Sequence, residues 1–189
     1  MLDDVLELIL ADAQEHMDKT LDHLRTELNA IRAGRASPSM LQNVRVDYYG
    51  TQTPLNQMAS VGAPQPDLLV VQPWDGSALS AIEKAIITEN LGLNPSNDGK
   101  IIRIPVPPLS EERRRDLVKS ARAKGEEAKI SVRNIRRHAK DEIKRAKDDE
   151  HLSEDMCYHA EEKLQEMTNE YVGKIDAILD HKEGEIMEV

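Results

Sequence analysis

The sequence predicts an α+β protein, a long three-helix bundle with a small β-rich α/β domain inserted between the first and second bundle helices. Three observations carry this expectation. Apolar residues recur at 3/4 spacing toward both ends of the chain, whereas the stretch between them alternates in short β-branched runs broken by Gly and Pro. The 189 residues include no Phe and one Trp, so the core must rest on Leu, Ile, Val, Met and Ala, which suit narrow seams between helices.

Helix one is expected over residues 2 to about 32, with Leu6, Leu10, Ala13, Met17, Leu21, Leu24, Leu28 and Ile31 on one face and Gly34 as its stop. Strands follow at 44–49, 68–71 and 101–104, punctuated by Gly50, Pro54, Gly62, Pro64, Pro66 and Pro73. Between the second and third runs, Ser80 to Glu83 has capping-box spacing. Leu79, Ile82 and Ile86 share a face there, which marks a short helix ending near Gly92. After Pro105-Val106-Pro107-Pro108 the helical period returns, with Ser110 as N-cap and Glu111 and Glu112 in the first turn. Leu117, Ala121, Ala128, Val132, Ile135, Ala139, Ile143 and Ala146 extend one stripe along roughly 57 Å of rod. Ser153 caps the last helix, with Ala160, Leu164, Met167, Tyr171, Ile175 and Ile178 as its stripe and a frayed end near Gly184.

Three long helices, each apolar on one side, need one another to bury those stripes. Residues 1–33 and 107–189 are therefore expected to form the bundle, and 34–106 the inserted domain. Only two chain crossings join them, one at Gly34 and one at Pro105, Val106, Pro107 and Pro108, and these make a hinge.

Composition narrows the function. A single Cys157 forms no internal disulfide, no apolar run approaches the roughly 18 residues of a membrane span, and the acidic start is no signal peptide. The expectation is a soluble, cytoplasmic monomer without membrane contact. GxGxxG, GxxxxGK and HExxH patterns are absent, and Cys157 and His159 lack zinc-site spacing. The sequence therefore points to a binding protein rather than an enzyme, with no catalytic residue, cofactor or metal.

The charge is divided. Residues 110–147 hold fourteen Lys or Arg against seven Asp or Glu, a net of +7, while the whole chain carries −10, so the remainder sums to −17. Taking Arg133 as zero at about 100° per residue, Arg122, Lys129, Arg136, Arg137, Lys140, Lys144 and Lys147 all lie within a ~100° arc beside the apolar stripe. The simplest reading is a solvated face paired with acids of helices one and three. Against it, only Glu126 interrupts the arc, so the cations repel one another along the stripe and a polyanion would relieve them. Three arginines favour phosphate, and few aromatics lie nearby, so structured RNA read through its backbone fits better than single strands read by stacking. A rival of another class is a coiled-coil structural or adaptor protein that binds other helical proteins.

Eight ordered motifs then carry a likeness. They run from Gly34-Arg35-Ala36-Ser37-Pro38, Tyr48-Tyr49-Gly50-Thr51, Thr53-Pro54-Leu55 and Ala59-Ser60-Val61 through Glu83-Lys84-Ala85-Ile86 and Leu91-Gly92-Leu93-Asn94-Pro95. Pro107-Pro108-Leu109 with Glu111 to Arg114, and Val132-Arg133-Asn134-Ile135-Arg136-Arg137, complete the set. The chain closely resembles the bacterial ribosome recycling factor family over essentially its full length. The resemblance implies an L-shaped pair of domains on a flexible elbow. It also implies binding between the subunits of the post-termination 70S ribosome, where elongation factor G and GTP help to separate the subunits and release mRNA and deacylated tRNA. The bundle would lie on large-subunit rRNA, and the inserted domain would meet the small subunit and elongation factor G. Carried over by position, the rRNA-contacting residues are Arg32, Arg35, Arg133, Arg136 and Arg137, to which the basic arc adds Arg122, Lys129, Lys140 and Lys144. The chain departs from the family pattern at Gln52, His138, Lys140 and Gly184.

Overall fold

The structure, a computed structural model, describes residues 3–31 and 34–188. In chain order its elements are α1 (Asp4–Asn29), β1 (Arg45–Tyr48), β2 (Thr51–Pro54), β3 (Ala59–Gln65), β4 (Leu68–Pro73), α2 (Leu79–Thr88), β5 (Ser96–Asn97), β6 (Ile102–Pro105), α3 (Glu111–Asp149) and α4 (Glu154–Met187). The fold class is α+β, as expected. Two compact units form, Met1–Ala33 with Glu111–Val189, and Gly34–Ser110.

The first unit packs α1, α3 and α4 around one apolar core. All eight stripe residues expected on helix one are buried. Asp3 caps α1 by accepting from the Val5 amide at 2.9 Å, and Ser153 caps α4 by accepting from the Met156 amide at 3.2 Å. Helix one ends sooner than expected, at Asn29, because the Ile31 amide turns back to the Leu28 carbonyl at 3.0 Å and tightens the last turn. Gly34, at φ +82°, lies beyond that end, where a Cβ would meet Leu109 Cδ1 at 3.3 Å.

The buried row of α4 differs in one respect from the expected stripe. Cys157, Ala160 and Leu164 recur eleven residues on as Thr168, Tyr171 and Ile175, and again as Leu179, Lys182 and Ile186. An eleven-residue period is about 3.67 per turn, so the row runs nearly along the axis instead of winding left-handed as heptads do. Met167 and Ile178 therefore fall to the flanks, partly buried, and Thr168 and Leu179 take the seam. The Thr168 hydroxyl is satisfied by donating to the Leu164 carbonyl at 2.8 Å. Gly184 does not end the helix, which continues to Met187 with Ile186 fully buried.

Two contacts lock the bundle. Gly125 of α3 is buried against α4, where a Cβ would come within 2.2 Å of Leu179 Cδ1, so the absence of a side chain sets the distance between these helices. Tyr171, almost wholly buried, donates its hydroxyl to Asp18 of α1, and Lys174 Nζ lies 4.5 Å from its ring centroid. Burial, then the Asp18 carboxylate, push the Tyr171 phenol up to about 12.

The second unit has a two-stranded β1–β2 hairpin and a four-stranded antiparallel sheet in the order β3-β4-β6-β5. Its own core takes Val46, Leu69, Val71, Ile82, Ile86, Ile102 and Ile104 among others. Tyr48 pairs with Thr51, so Tyr49 and Gly50 form a two-residue turn with φ +51° and +81°, the left-handed pair that such a turn requires. Three strands escaped the sequence reading. In β3 the register shifts between Gly62 and Gln65, around Pro64, so its pattern is broken where an edge strand tolerates a break. The hairpin strand β2, Thr-Gln-Thr-Pro, buries no residue and so shows no apolar alternation, and β5 has only two residues.

The capping box at Ser80 does not form. A 3₁₀ turn at Gly76–Ala78 leads into α2, and Asp75 caps that turn through the Ser77 amide at 3.0 Å, which leaves Ser80 inside the helix. Asp75 also accepts from the Ser77 and Tyr48 hydroxyls at 2.7 and 2.8 Å, and these donors hold its carboxyl below the usual range.

Glycine substitutions should separate by sign. Gly125→Ala should destabilise the fold by about 1 kcal/mol, because overpacking outweighs the gain in helix propensity. In a Leu179→Ala background the same change should become stabilising by about 0.5–1 kcal/mol, as should Gly184→Ala, whose Cβ meets nothing within 4 Å. Urea unfolding of the single and double variants measures all three.

Tyr171 supplies a pH test. Its phenol ionises near about 10 in the unfolded chain and about 12 in the fold, so its contribution is complete below about pH 10 and is lost as pH rises through 12. The stability difference between the parent and Tyr171→Phe should therefore be level below about pH 9 and shrink above about pH 10, read by urea unfolding across that range.

Candidate RNA-binding face

The exposed flank of α3 divides into two edges. On an ideal helix with Arg133 at zero, Arg122, Lys129, Arg136, Lys140 and Lys147 lie at about −20° to −60°, on the side of the apolar stripe. Every one of them meets α4. Arg122 holds Glu183 with two donors at 2.6 and 3.2 Å. Lys129, only 15% exposed, lies 2.6 Å from Asp176 and 3.5 Å from Glu126. Lys140 pairs with Glu161 at 3.3 Å and Lys147 with Glu154 at 3.1 Å. The helices run antiparallel, so each step up α3 meets an acid one step down α4. Glu183 raises the Arg122 guanidinium above its ordinary value, and Asp176 does the same for the Lys129 ammonium.

One position in this row is different. Arg136 donates to the neutral amide oxygen of Gln165 at 3.4 Å, and Gln165 in turn donates to Asn169 at 2.9 Å. Arg136 thus keeps an uncompensated charge.

The other edge lies at about 0° to +40° and turns away from α4. Arg133, Arg137 and Lys144 are exposed and make no ion pair or side-chain hydrogen bond among the described residues. Lys119 belongs with them at about +40°, equally exposed and unpaired among the described residues. The same angular argument would have found it. The stripe therefore contains both of the alternatives raised by the sequence. Its α4-facing edge is the solvated, ion-paired face, and its outer edge with Arg136 is the uncompensated one.

The remaining expected residues fall elsewhere. Arg35 is exposed but lies in the second unit rather than at the end of helix one. Arg32 lies outside the described residues. Of the expected hinge, Pro105 closes β6, and Val106 is buried in the second core with its amide donating to the Asp67 carbonyl at 2.7 Å. Both are thus fixed to the sheet, and Gly34, Pro107 and Pro108 are left outside regular structure. The sequence placed few aromatics near the cations and so disfavoured stacking, but packing of α4 brings Tyr158 into a cleft with Arg136 and Lys140. Among the described residues no group of His, Cys, Asp and Glu gathers as a metal site, and no helix is long and apolar enough to cross a membrane.

The chain as a whole is similar to known proteins. The family described as Ribosome recycling factor matches residues 24–187. The ribosome-recycling factor of Salinibacter ruber is 54% identical over 189 residues, all of both chains. That of Halothermothrix orenii is 51% identical over 178 residues, covering 94% of this chain and 96% of its own. A solution structure of a ribosome recycling factor superposes over 100% of both chains with a TM-score of 0.78 at 40% identity. A second similar chain, 48% identical with a TM-score of 0.63 over 97% of this chain and 99% of its own, is described with models for the T. thermophilus ribosome recycling factor and E. coli elongation factor G bound to the E. coli post-termination complex.

The two edges should differ in stability. Lys129→Ala should cost about 0.5–1 kcal/mol, since it removes a largely covered side chain together with its pair to the solvated Asp176. Arg133→Ala, Arg137→Ala and Lys144→Ala should each stay within about 0.5 kcal/mol of the parent in thermal or urea unfolding.

Proposed function

The chain belongs to the ribosome recycling factor family, whose members are translation factors and not enzymes, and on that premise we propose that it binds the post-termination 70S ribosome between the subunits. With elongation factor G and GTP it then separates them in the cytoplasm and frees mRNA and deacylated tRNA. Its own contribution is steric. The bundle takes large-subunit rRNA phosphates with Arg133, Arg136, Arg137 and Lys144, acting as a monomer, and the second unit serves the small subunit and elongation factor G. Arg122, Lys129 and Lys140 hold α4 and bind RNA less.

The observation that carries this reading is the row of cations on α3 that meet no acid among the described residues, with Arg133, Arg137 and Lys144 exposed and Arg136 held by Gln165. Guanidinium forks bind phosphate oxygens with two parallel donors, and a row left uncompensated loses no internal pair on doing so. The description of a similar chain at a post-termination complex with elongation factor G supports the choice of partner.

At ~1.5–3 kcal/mol per charge-assisted hydrogen bond, Arg133→Ala/Arg137→Ala/Lys144→Ala should bind ribosomes at least tenfold more weakly while keeping its fold. Sedimentation with purified ribosomes measures this. Unchanged affinity, or capture of the chain by helical proteins after RNase treatment, would favour the adaptor reading instead.

The two crossings also support a hinge, carried by Gly34 and residues 107–110. Spin labels at the exposed positions Thr51 and Glu166 should give a broad distance distribution in free solution, and a single narrow distance would contradict it.

A further inference from the structure

The cleft between α3 and α4 at Arg136 has a property that phosphate binding does not use. Tyr158 stands there with its side chain in solvent, 60% exposed, in a chain with four tyrosines and one tryptophan. It lines the same cleft as Arg136, Lys140 and Gln165, and it also lines a neighbouring cleft with Lys144 and Lys147. The ring therefore borders two clefts lined by both cations and acids.

Acids line both clefts, and two of them are paired to lysines. Glu161 pairs with Lys140, Glu154 with Lys147, and Glu162 lies 3.2 Å from His159 Nδ1. His159 also meets the Tyr158 ring edge to face, with centroids 6.1 Å apart, which supports one side of the ring. Gln165 holds the Arg136 guanidinium without neutralising it, because its other end is fixed by Asn169. The site thus presents an aromatic surface with one uncompensated, bidentate cation beside it. Such a pair matches an unpaired nucleotide, whose base stacks on the ring while its phosphate meets the guanidinium.

We propose that Tyr158, Arg136 and Gln165 form a subsite for one unpaired rRNA nucleotide, with Tyr158 stacking on the base and Arg136 binding the phosphate. The proposal rests on the rRNA-binding reading above and adds to it a contact that distinguishes looped from paired RNA. Gln165 acts as a positioning residue. An acid in its place would complete the ion-pair row and remove the charge that Arg136 offers.

Equilibrium binding to vacant 70S ribosomes tests the subsite with four variants of the full chain. Tyr158→Phe should bind as the parent does, because stacking needs only the ring, whereas Tyr158→Leu, apolar but without a π face, should lose fivefold or more. Gln165→Glu should also lose fivefold or more, with a shallower salt dependence and an unfolding midpoint at least as high as the parent's. Equal affinity for Tyr158→Leu and the parent, or equal losses for Tyr158→Phe and Tyr158→Leu, would overturn the stacking role. Unchanged affinity and salt dependence in Gln165→Glu would overturn the positioning role. Arg133→Ala/Arg137→Ala is the control. Should it bind as the parent does, the rRNA reading itself fails, whereas its weakening beside an unaffected Tyr158→Leu removes the subsite alone.

Discussion

The antiparallel seam between α3 and α4 decides what every cation on α3 can do. Gly125 lets the two helices close until Leu179 fills the space a side chain would take, and the eleven-residue recurrence on α4 keeps that contact straight along its length. Beside this seam, acids of α4 meet one edge of the basic stripe from Glu183 to Glu154. Register and spacing of the apolar core thereby fix the electrostatics of the surface.

The consequence is a division of labour across roughly one helix radius. Cations leaning toward α4 stabilise the bundle and have little charge left for a ligand. Cations turned away contribute little to folding and repel one another until an anion arrives. Arg136 lies between these groups because Gln165, and not an acid, faces it. Such an arrangement lets the folding and the binding contributions of one helix vary independently.

Much of this was legible in the sequence because helical periodicity is local. The α1 stripe from Leu6 to Ile31, the cationic arc of α3 and the cap at Ser153 need only residue spacing. What was not legible depends on register between distant segments. Nothing around Arg122 or Lys129 identifies Glu183 or Asp176 as a partner, and only packing brings Tyr158 beside Arg136. Gly125 reads as a weak point of a helix until Leu179 is placed against it. In the second unit, Pro64 and Gly62 hide β3, and the 3₁₀ turn from Asp75 displaces the cap expected at Ser80. Each miss is a case in which tertiary structure overrides a local signal.

The central claim, that only the uncompensated edge binds phosphate, is tested most directly by counting released counterions. The slope of log affinity for ribosomes against log salt should become shallower by about two to three when Arg133, Arg137 and Lys144 are replaced by alanine together, at ~0.7–0.9 per lost phosphate contact. Replacing Arg122, Lys129 and Lys147 together should leave the slope within about half a unit of the parent's in protein that remains folded. Equal changes in slope for the two sets would contradict the account.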